Sequence, residues 1–438
     1  MAEATVSKKK KIRRSDYQYT VFKAMRNGDW ITRLSFLIMG FGNIVRKQFV
    51  KGLSFLVLES IFIYFMIKNG ASLLTDFFHL GGAEQEKVWN DAKGIFEYTQ
   101  GDNSLLMLLY GVATVFIIFA FVCLWVVSVE SAYRAQCLHD AGKKVPGFTD
   151  DIKSLFDKNL HMFLLPLPVL GIVVFTILPL VFMICMAFTN YSKLDSHTVL
   201  FNWVGLKNFA KILNFNDAVG STFWSVLGWT LVWAVAATFT NYIFGMILAM
   251  VINRKGTRCK SVWRSIFMLS AAVPQFVSLL LMRTIFSQNG IVNTLLLNHH
   301  IIDNAIPFWS NATIARIMVI VINIWIGIPF TIMQVTGILQ SIPEDIYEAA
   351  KGDGAGPVKI FFKITLPYML FVTAPYLITT FAGNINNFNV IYLLSNGAPI
   401  PVGKTAGKTD LLVTWLYKLT VDNQYYNLGA VIGIMTFI

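Results

Sequence analysis

The feature that most constrains this chain is a series of apolar stretches, each about twenty residues long, that recurs from Leu53 to the end. A helix needs about 20 apolar residues to cross a bilayer core of roughly 30 Å. Hydrophobic residues make up 55% of the 438 residues, charged residues make up 14%, and the mean hydropathy is +0.59. These values are outside the range of soluble domains and predict a protein embedded mainly in lipid.

The apolar stretches predict an all-α, polytopic transmembrane bundle, because lipid cannot hydrogen-bond to open backbone groups and helices satisfy those groups internally. An eighth span begins near Leu428 and reaches Ile438 after about eleven residues. Eleven residues are too few to cross, so we expect the chain to stop inside its final helix. The other seven spans are expected near 53–68, 105–128, 162–188, 222–252, 265–286, 312–338 and 368–394.

Charge between the spans predicts their orientation. The formal net charge of +12 is spread over short connections and forms no continuous basic face, which disfavours nucleic acid as a partner. One connection carries Arg254, Lys255, Arg258, Lys260 and Arg264, whereas another carries Glu84, Glu86, Asp91, Glu97 and Asp102. Because basic loops stay in the cytoplasm, eight crossings place both termini and the 341–367 loop inside the cell.

The sequence divides into three predicted parts. Residues 1–52 form a basic, cytoplasmic N-terminal segment, and residues 53–159 form an accessory pair of spans with its connecting loops. Residues 160–438 form the transport core. The four cysteines, Cys123, Cys137, Cys185 and Cys259, are scattered without CxxC spacing or paired histidines, so neither a disulfide framework nor a zinc site is predicted. We also expect no cofactor.

The 341–367 loop has the chemistry of two short helices joined by a turn. Ser341 and Glu344 have the spacing of a capping box that would begin the first helix. Glycines at 352, 354 and 356 can end this helix, and Pro357 can begin a second one. Small side chains at Ala349 and Ala350 would let another surface approach closely. The alternative from the residues alone is an amphipathic loop packed on its own bundle.

The same loop resembles the EAA signature of ABC importer permeases. The fixed positions of that signature are met by Glu348, Ala349, Ala350, Gly354, Ile364, Leu366 and Pro367. The resemblance implies that this segment docks into a cleft of an ATPase subunit and transmits its closure to the helices. It also implies a second permease subunit, two ATP-binding subunits, an extracellular solute-binding protein and a location in the bacterial inner membrane.

Further segments are similar to the larger permease subunits of maltose/maltodextrin importers. They are AFTNYS at 187–192, GLKNF at 205–209, AAVPQF at 271–276, NIWIG at 323–327 and NINNFNVIYLLSNGAP at 384–399. One departure concerns the large external domain that enteric members carry after the AFTNYS-like segment. Here about thirty residues separate that segment from the next span, so contacts made through such a domain are not expected.

The spans of the predicted core contain no Asp or Glu, which disfavours an ion-coupled carrier. They contain neutral amides and hydroxyls beside aromatic rings, among them Gln275, Asn323, Thr380, Asn384 and Asn387. Amides both donate and accept hydrogen bonds, so this set suits an uncharged polyhydroxy solute. The alternative is that these amides only tie helices together.

The family resemblance implies particular contacts with the sugar. In similar permeases the sugar rests midway across the membrane, on residues that match Asn323, Ile326, Gly327, Phe330, Thr380, Gly383, Asn384 and Asn387. Phe330 stands where a tyrosine is usual, Gly383 replaces a phenylalanine, and Thr380 replaces a serine. These differences predict that the sugar differs in length or linkage from the one that the similar permeases carry.

Together these features predict a non-catalytic permease subunit of an ATP-driven importer for a neutral oligosaccharide. Two rival hypotheses remain at this point. One is a secondary carrier or channel for a neutral solute. The other is a membrane enzyme that acts on lipid-linked sugar, which would need paired carboxylates or a metal cluster near a membrane face.

Overall fold

The computed structural model describes residues 19–84, 86–91, 93–98, 101–157, 159–192, 199–254 and 256–438. It confirms the helical membrane fold. Six helices are long and apolar enough to cross a membrane, and a bent pair of helices makes a seventh candidate. The described residues contain one two-stranded sheet, formed by Lys87–Asn90 and Ile95–Tyr98 in antiparallel register.

The chain divides into two compact units, which are described separately. The first comprises Met1–Cys185 with Leu194–Trp203, and the second comprises Met186–Lys193 with Val204–Ile438. In chain order, the first unit contains α1 (Val21–Asn27), α2 (Trp30–Leu34), α3 (Phe41–Val45), α4 (Phe49–His79), α5 (Ser104–Asp140), α6 (Phe148–Phe156) and α7 (Leu160–Leu164). Helix α8 (Pro166–Ala187) follows and carries the unit boundary.

The second unit continues the chain. Its helices are α9 (Lys207–Leu213), α10 (Ala218–Asn253), α11 (Lys260–Ala272), α12 (Gln275–Ile285), α13 (Ile291–Asn298), α14 (Ala312–Ser341), α15 (Glu344–Gly352), α16 (Pro357–Ile385), α17 (Phe388–Leu394), α18 (Leu412–Tyr417) and α19 (Tyr426–Phe437).

The first two predicted spans are longer in the structure, at Phe49–His79 and Ser104–Asp140, and two later ones differ in their breaks. The span expected at 265–286 is the pair α11 and α12, which meet at an angle of 86°. Val273 and Pro274 leave the helical conformation there, because Pro274 has no N–H to donate to the preceding turn. The span expected at 368–394 begins earlier, at Pro357, and ends at Ile385, while residues 388–394 form the separate helix α17.

Helices α10, α14 and α16 form the centre of the second unit. The Arg316 guanidinium lies 4.4 Å from the centroid of the Trp229 ring, and both residues belong to the first third of their helices, α14 and α10. At the other end, the Nδ2 of Asn253 donates to the Oγ1 of Thr336 at 3.0 Å. Contacts therefore advance along both helices in the same direction, and α10 and α14 are parallel.

Helix α16 runs in the opposite direction to α10. The Nε1 of Trp233 donates to the carbonyl of Asn384 at 3.1 Å, whereas the hydroxyls of Tyr242 and Thr373 lie 2.8 Å apart. Trp233 is fully buried in a cluster with Leu279, Ile322 and residues of α17. A second cluster, around Tyr242, Met246 and Met369, fills the other half of the bundle.

A buried ion pair holds the segment between α17 and α18. The Nζ of Lys418 lies 2.8 Å from the Oδ2 of Asp410, and the two side chains are 6% and 0% exposed. Asp410 also accepts from the backbone N–H of Gly407 and from the Thr414 hydroxyl, and Lys418 donates to the carbonyl of Asn396. These hydrogen bonds offset the free-energy cost of removing the Asp410 carboxylate from water.

The first unit contains more structure before α4 than the sequence indicates. Residues 19–48, which the sequence assigns to the basic N-terminal segment, contain α1, α2 and α3. The Nε1 of Trp125 on α5 donates to the carbonyl of Phe36 at 2.9 Å, and their rings meet edge to face. The basic run at 8–14 lies outside the described residues.

Candidate functional site

The predicted loop with the EAA spacing is a helix, a turn and the start of the next span. Helix α15 carries Glu348 and Ala349 on an exposed surface, while Ala350 is half-buried. The chain then turns at Gly354, whose φ is +72°, a conformation that costs other residues about 1–2 kcal/mol. The hydroxyls of Tyr347 and Thr365 lie 3.3 Å apart and join the two arms of this elbow, residues 343–367.

The predicted capping box at the start of the elbow is wrong. Ser341 is the last residue of α14, and its hydroxyl donates to the carbonyl of Ile338 at 2.7 Å. It is therefore already bonded within the preceding helix, and α15 begins after Pro343 without a side-chain cap.

The second arm of the elbow is also different from the expected short helix, because it continues without a break into α16. Phe361–Thr365 forms one π-helical turn, which comes just before Pro367, a residue that has no N–H to donate. Ile360 is buried and Leu366 packs against the Tyr242 cluster, whereas Ile364 is half-buried. A displacement of the elbow would therefore act directly on a membrane-crossing helix.

The elbow and the basic connection after α10 lie at the same end of the second unit. Lys260, at the start of α11, donates to the carbonyl of Asn253 at 3.0 Å, and the Arg264 guanidinium donates to the Asn253 side chain. Asn253 in turn contacts Thr336, one turn from the end of α14. The connection between α14 and α15 leaves from this end.

The predicted solute contacts on α14 form one helical stripe with the spacing i, i+3, i+4 and i+7, which places side chains on one face. Asn323 is 5% exposed, and its Nδ2 has no hydrogen-bond partner among the described residues. Ile326 packs on the Trp233 cluster, whereas Phe330 is 55% exposed. A Cβ at Gly327 would overlap the side-chain amide of Asn241, so only glycine permits this contact with α10.

The predicted contacts on α16 and at its end have the same spacing. The Nδ2 of Asn384 donates to the Oγ1 of Thr238 at 3.0 Å, and its Oδ1 accepts from Asn387 at 3.3 Å. Asn387 also caps α17 by accepting from the backbone N–H of Val390. Thr380 is half-buried, and Gly383 faces open space, since a Cβ added there would meet no described atom within 4 Å.

Both stripes converge on one turn of α10. Thr238 binds Asn384, and Asn241 touches Gly327, so Gly327 of α14 and Asn384 of α16 meet the same helix three residues apart. Gln275 is exposed at the start of α12, and its side chain forms no hydrogen bond with the part of the chain that the structure describes. The structure gives it no contact with the other predicted residues.

The sequence analysis missed Asn241. Its side chain is buried, and its Oδ1 has no partner among the described residues. A buried acceptor at Asn241 and a buried donor at Asn323 are therefore both unsatisfied, on facing helices, and can bind a hydroxyl-bearing molecule. The signal was present in the sequence, because Asn241 is an amide in the middle of an apolar span.

Comparisons with known proteins agree with this architecture. The family of binding-protein-dependent transport system inner membrane components matches residues 241–438. The galactooligosaccharides transport system permease protein GanP of Bacillus subtilis is 34% identical over 405 residues, which cover 91% of this chain and 92% of GanP. The maltodextrin transport system permease protein MdxF of the same organism is 33% identical over 420 residues, 92% of this chain and 91% of MdxF.

Two further comparisons are less complete. The maltose/maltodextrin permease protein MalF of Escherichia coli is 37% identical over 249 residues, which cover 55% of this chain and 47% of MalF. A bacterial alginate ABC transporter, solved with an alginate pentasaccharide-bound periplasmic protein, matches with a TM-score of 0.50 at 22% identity. That match covers 66% of this chain and 91% of the other, and it shows similarity of fold.

Proposed function

We propose, from the premise that this chain belongs to the family of binding-protein-dependent transport system inner membrane components, that it forms part of the path for a neutral oligosaccharide in an ATP-driven importer. Its partners are a second permease subunit, two ATP-binding subunits and an extracellular solute-binding protein. In this arrangement both termini lie in the cytoplasm. The chain itself binds no nucleotide and catalyses no reaction.

The observation that carries the proposal is the elbow at 343–367. Its first arm presents Glu348 and Ala349 on an exposed surface, and its second arm is continuous with α16. A docked ATPase subunit would fit its surface against the small alanines and pair with the carboxylate of Glu348. Closure of the ATPase subunits would then move α16 as one piece.

The residues that lie along the helices support a neutral sugar. Helices α10, α14 and α16 contain no acidic residue, and their central turns contain no Lys or Arg. Amides and hydroxyls at Asn241, Asn323 and Thr380 would bind sugar hydroxyls, and Phe330 would cover a ring face. GanP and MdxF are named for galactooligosaccharides and maltodextrin, which are both neutral oligosaccharides.

Alternating access follows from the attachment of these residues to helices that the elbow can move. Asn323 belongs to α14 and Asn384 belongs to α16, while both helices contact α10. When α16 shifts against α10, the Asn384–Thr238 hydrogen bond would break and the amides would become available to the solute. The site would then face the two sides of the membrane in turn.

The experiment is reconstitution of the importer with its ATPase partners in vesicles. We expect Glu348→Lys to abolish ATPase docking and sugar uptake. The substitution replaces the carboxylate with an ammonium group, which would repel the group on the ATPase subunit that pairs with the carboxylate. Asp353→Lys is the matched control, since it reverses a charge at the C-terminal end of the same helix, and it should keep both activities. Normal uptake by the Glu348 variant would overturn the docking role.

A secondary carrier for a neutral solute remains the alternative. It predicts that the chain alone, in vesicles without ATPase subunits, moves sugar when an ion gradient is applied. The proposed importer predicts no uptake under those conditions and uptake after the ATPase subunits and ATP are added.

A further inference from the structure

The segment before the first span folds back against the first turns of that span. We name Trp30–Lys47, which contains α2, a turn and α3, the N-terminal wedge. At its turn, the backbone N–H of Met39 donates to the Oε2 of Glu59 at 2.9 Å. Glu59 lies ten residues after the start of α4, about 15 Å along the helix at 1.5 Å per residue. A Cβ at Gly40 would overlap the backbone of Gly52, so the turn of the wedge packs beside the first three turns of α4, between Gly52 and Glu59.

Side chains of the two spans satisfy the backbone of the wedge. The N–H of Gly40 donates to the Oγ of Ser128 at 3.0 Å, and Trp125 donates to the carbonyl of Phe36. Irregular backbone at membrane depth persists only where protein groups bind it in this way. The acidic side chain of Glu59, which is costly in a membrane helix, thus has a structural role as an acceptor for the wedge.

The neck of the wedge is closed by a salt bridge. The Arg46 guanidinium binds both carboxylate oxygens of Asp29, at 2.7 and 2.8 Å, and also binds the carbonyls of Gly42 and Ala132. Burial raises the pKa of Asp29, but hydrogen bonds from Thr32 and Arg46 outweigh it and the pKa falls below its usual value. Asp29 is the only acidic residue between positions 19 and 58, and its carboxylate is paired with Arg46.

The wedge, α1 and the start of α4 each carry large apolar side chains that are exposed. Phe22, Trp30 and Leu37 are 74%, 68% and 76% exposed, and Leu53 and Val57 on α4 are exposed as well. In a lipid leaflet, tryptophan is enriched at the boundary between water and lipid and aliphatic side chains lie deeper, which is the order of Trp30 and Leu37 along the wedge.

Basic side chains on the same segment have no acidic partner. Lys23, Arg26, Arg33 and Lys47 form no ion pair within the described part of the chain. A cleft of about 290 Å³ opens beside Arg33 and is lined by Met25 and Phe36. A cation between two apolar side chains, at the edge of a span, suits a ligand with an anionic head and a hydrocarbon chain.

We propose that the N-terminal wedge is inserted in one leaflet and binds an anionic bilayer phospholipid. The phosphate would bind the Arg33 guanidinium and the acyl chains would lie against Met25, Phe36 and Leu37. The wedge thereby fixes the cytoplasmic ends of α4 and α5 to a lipid of defined charge. One basic residue near an anionic surface contributes about 1 kcal/mol, which corresponds to about a fivefold preference.

The test measures lipids retained by the full chain in mild detergent, by native mass spectrometry, with phosphatidylglycerol and phosphatidylcholine supplied at equal concentration. We expect the wild type to retain phosphatidylglycerol preferentially, and Arg33→Gln to lower that preference about fivefold. Arg33→Lys keeps the charge and should keep most of the preference. Lys87→Gln removes the same charge from the hairpin between α4 and α5 and should leave the preference unchanged.

A further arm separates a lipid site from a site for soluble anions. Excess inorganic phosphate should not displace phosphatidylglycerol, since it lacks the acyl chains that Phe36 and Leu37 would contact. The proposal is overturned if Arg33→Gln retains phosphatidylglycerol as the wild type does, if the wild type retains phosphatidylcholine equally, or if phosphate displaces the lipid.

Discussion

Asn323 and Asn384 have the same side chain, but their surroundings give them different roles. Asn384 uses both ends of its amide inside the bundle, toward Thr238 and Asn387. Asn323 is equally buried, yet its Nδ2 has no partner among the described residues. An unsatisfied buried donor lowers stability unless a ligand binds it in another step, and this is the role that we propose for Asn323.

This difference predicts opposite effects for the same substitution. Asn323→Leu should leave the thermal stability of the detergent-solubilised protein unchanged or raise it, because it removes an unsatisfied group, while sugar uptake falls. Asn384→Leu should lower the free energy of unfolding by about 1 kcal/mol, because Thr238 loses its partner. A stability loss in the first variant that matches the second would show that Asn323 is structural.

The buried pair of Asp410 and Lys418 permits a second prediction. Asp410→Asn leaves the Lys418 ammonium buried without a counter-charge and should cost about 3–5 kcal/mol. Adding Lys418→Met removes that charge and should restore most of the lost stability. Asp422→Asn, at an exposed position, is the control and should have no effect in the same thermal unfolding assay. A small effect of Asp410→Asn alone would mean that water reaches the pair.

At the scale of elements, long apolar stretches predicted the helices well, because length and composition suffice to exclude other structures in lipid. They could not predict where helices break. Pro274 precedes an 86° bend, whereas Pro329 and Pro375 lie inside continuous helices. Packing by neighbouring helices decides whether a proline bends a span, and that packing depends on contacts distant in sequence.

The elbow and the solute stripes illustrate the same limit. Motif spacing predicted the residues of α15 and the turn at Gly354, since glycine frees the backbone locally. The spacing could not show that Pro357 begins the span itself, nor that Asn384 is bound by Thr238, a residue 146 positions away. Partners of buried amides follow from the tertiary arrangement alone.

The close contact between α10 and α14 is testable with two glycines of one helix. A Cβ at Gly245 would lie 2.5 Å from the Cβ of Thr331, whereas a Cβ at Gly228 would meet nothing within 4 Å. We expect Gly245→Val to lower the free energy of unfolding by about 1–3 kcal/mol through overpacking, which would appear as a lower unfolding temperature. Gly228→Val should change stability little. Equal effects of both variants would contradict the helix contact.

The turn of the elbow depends on one backbone conformation. Gly354 has a φ of +72°, and alanine there should cost about 1–2 kcal/mol of local strain. Gly352 has open space around it and no positive φ, so Gly352→Ala is the matched control. We expect Gly354→Ala to weaken co-purification of the ATPase subunits and Gly352→Ala to leave it unchanged. Intact co-purification in both variants would show that the turn tolerates other geometries.

For the whole molecule, the parallel directions of α10 and α14 determine which loops share a membrane face. Two parallel spans need a connection that crosses the membrane between them, so the chain from 254 to 311 must pass to the other side. The Nε1 of Trp309 donates to the carbonyl of Arg283, which places the end of α12 near the start of α14. The bent pair of α11 and α12 therefore makes the crossing and is not a re-entrant loop that returns to its own side.

This crossing has a consequence for energy coupling, because the elbow reaches the ATPase subunits only if it shares the face of the basic connection. In a cysteine-free background, single cysteines at Arg258, Asp303 and Lys351 report the side of each loop to a membrane-impermeant thiol reagent. We expect the reagent to reach position 303 in intact cells, and positions 258 and 351 only after the membrane is opened, since positive loops remain inside. If α11 and α12 returned to the side they left, positions 303 and 351 would exchange sides. Labelling of position 351 from outside would then separate the elbow from any cytoplasmic ATPase and leave the bundle without a source of energy.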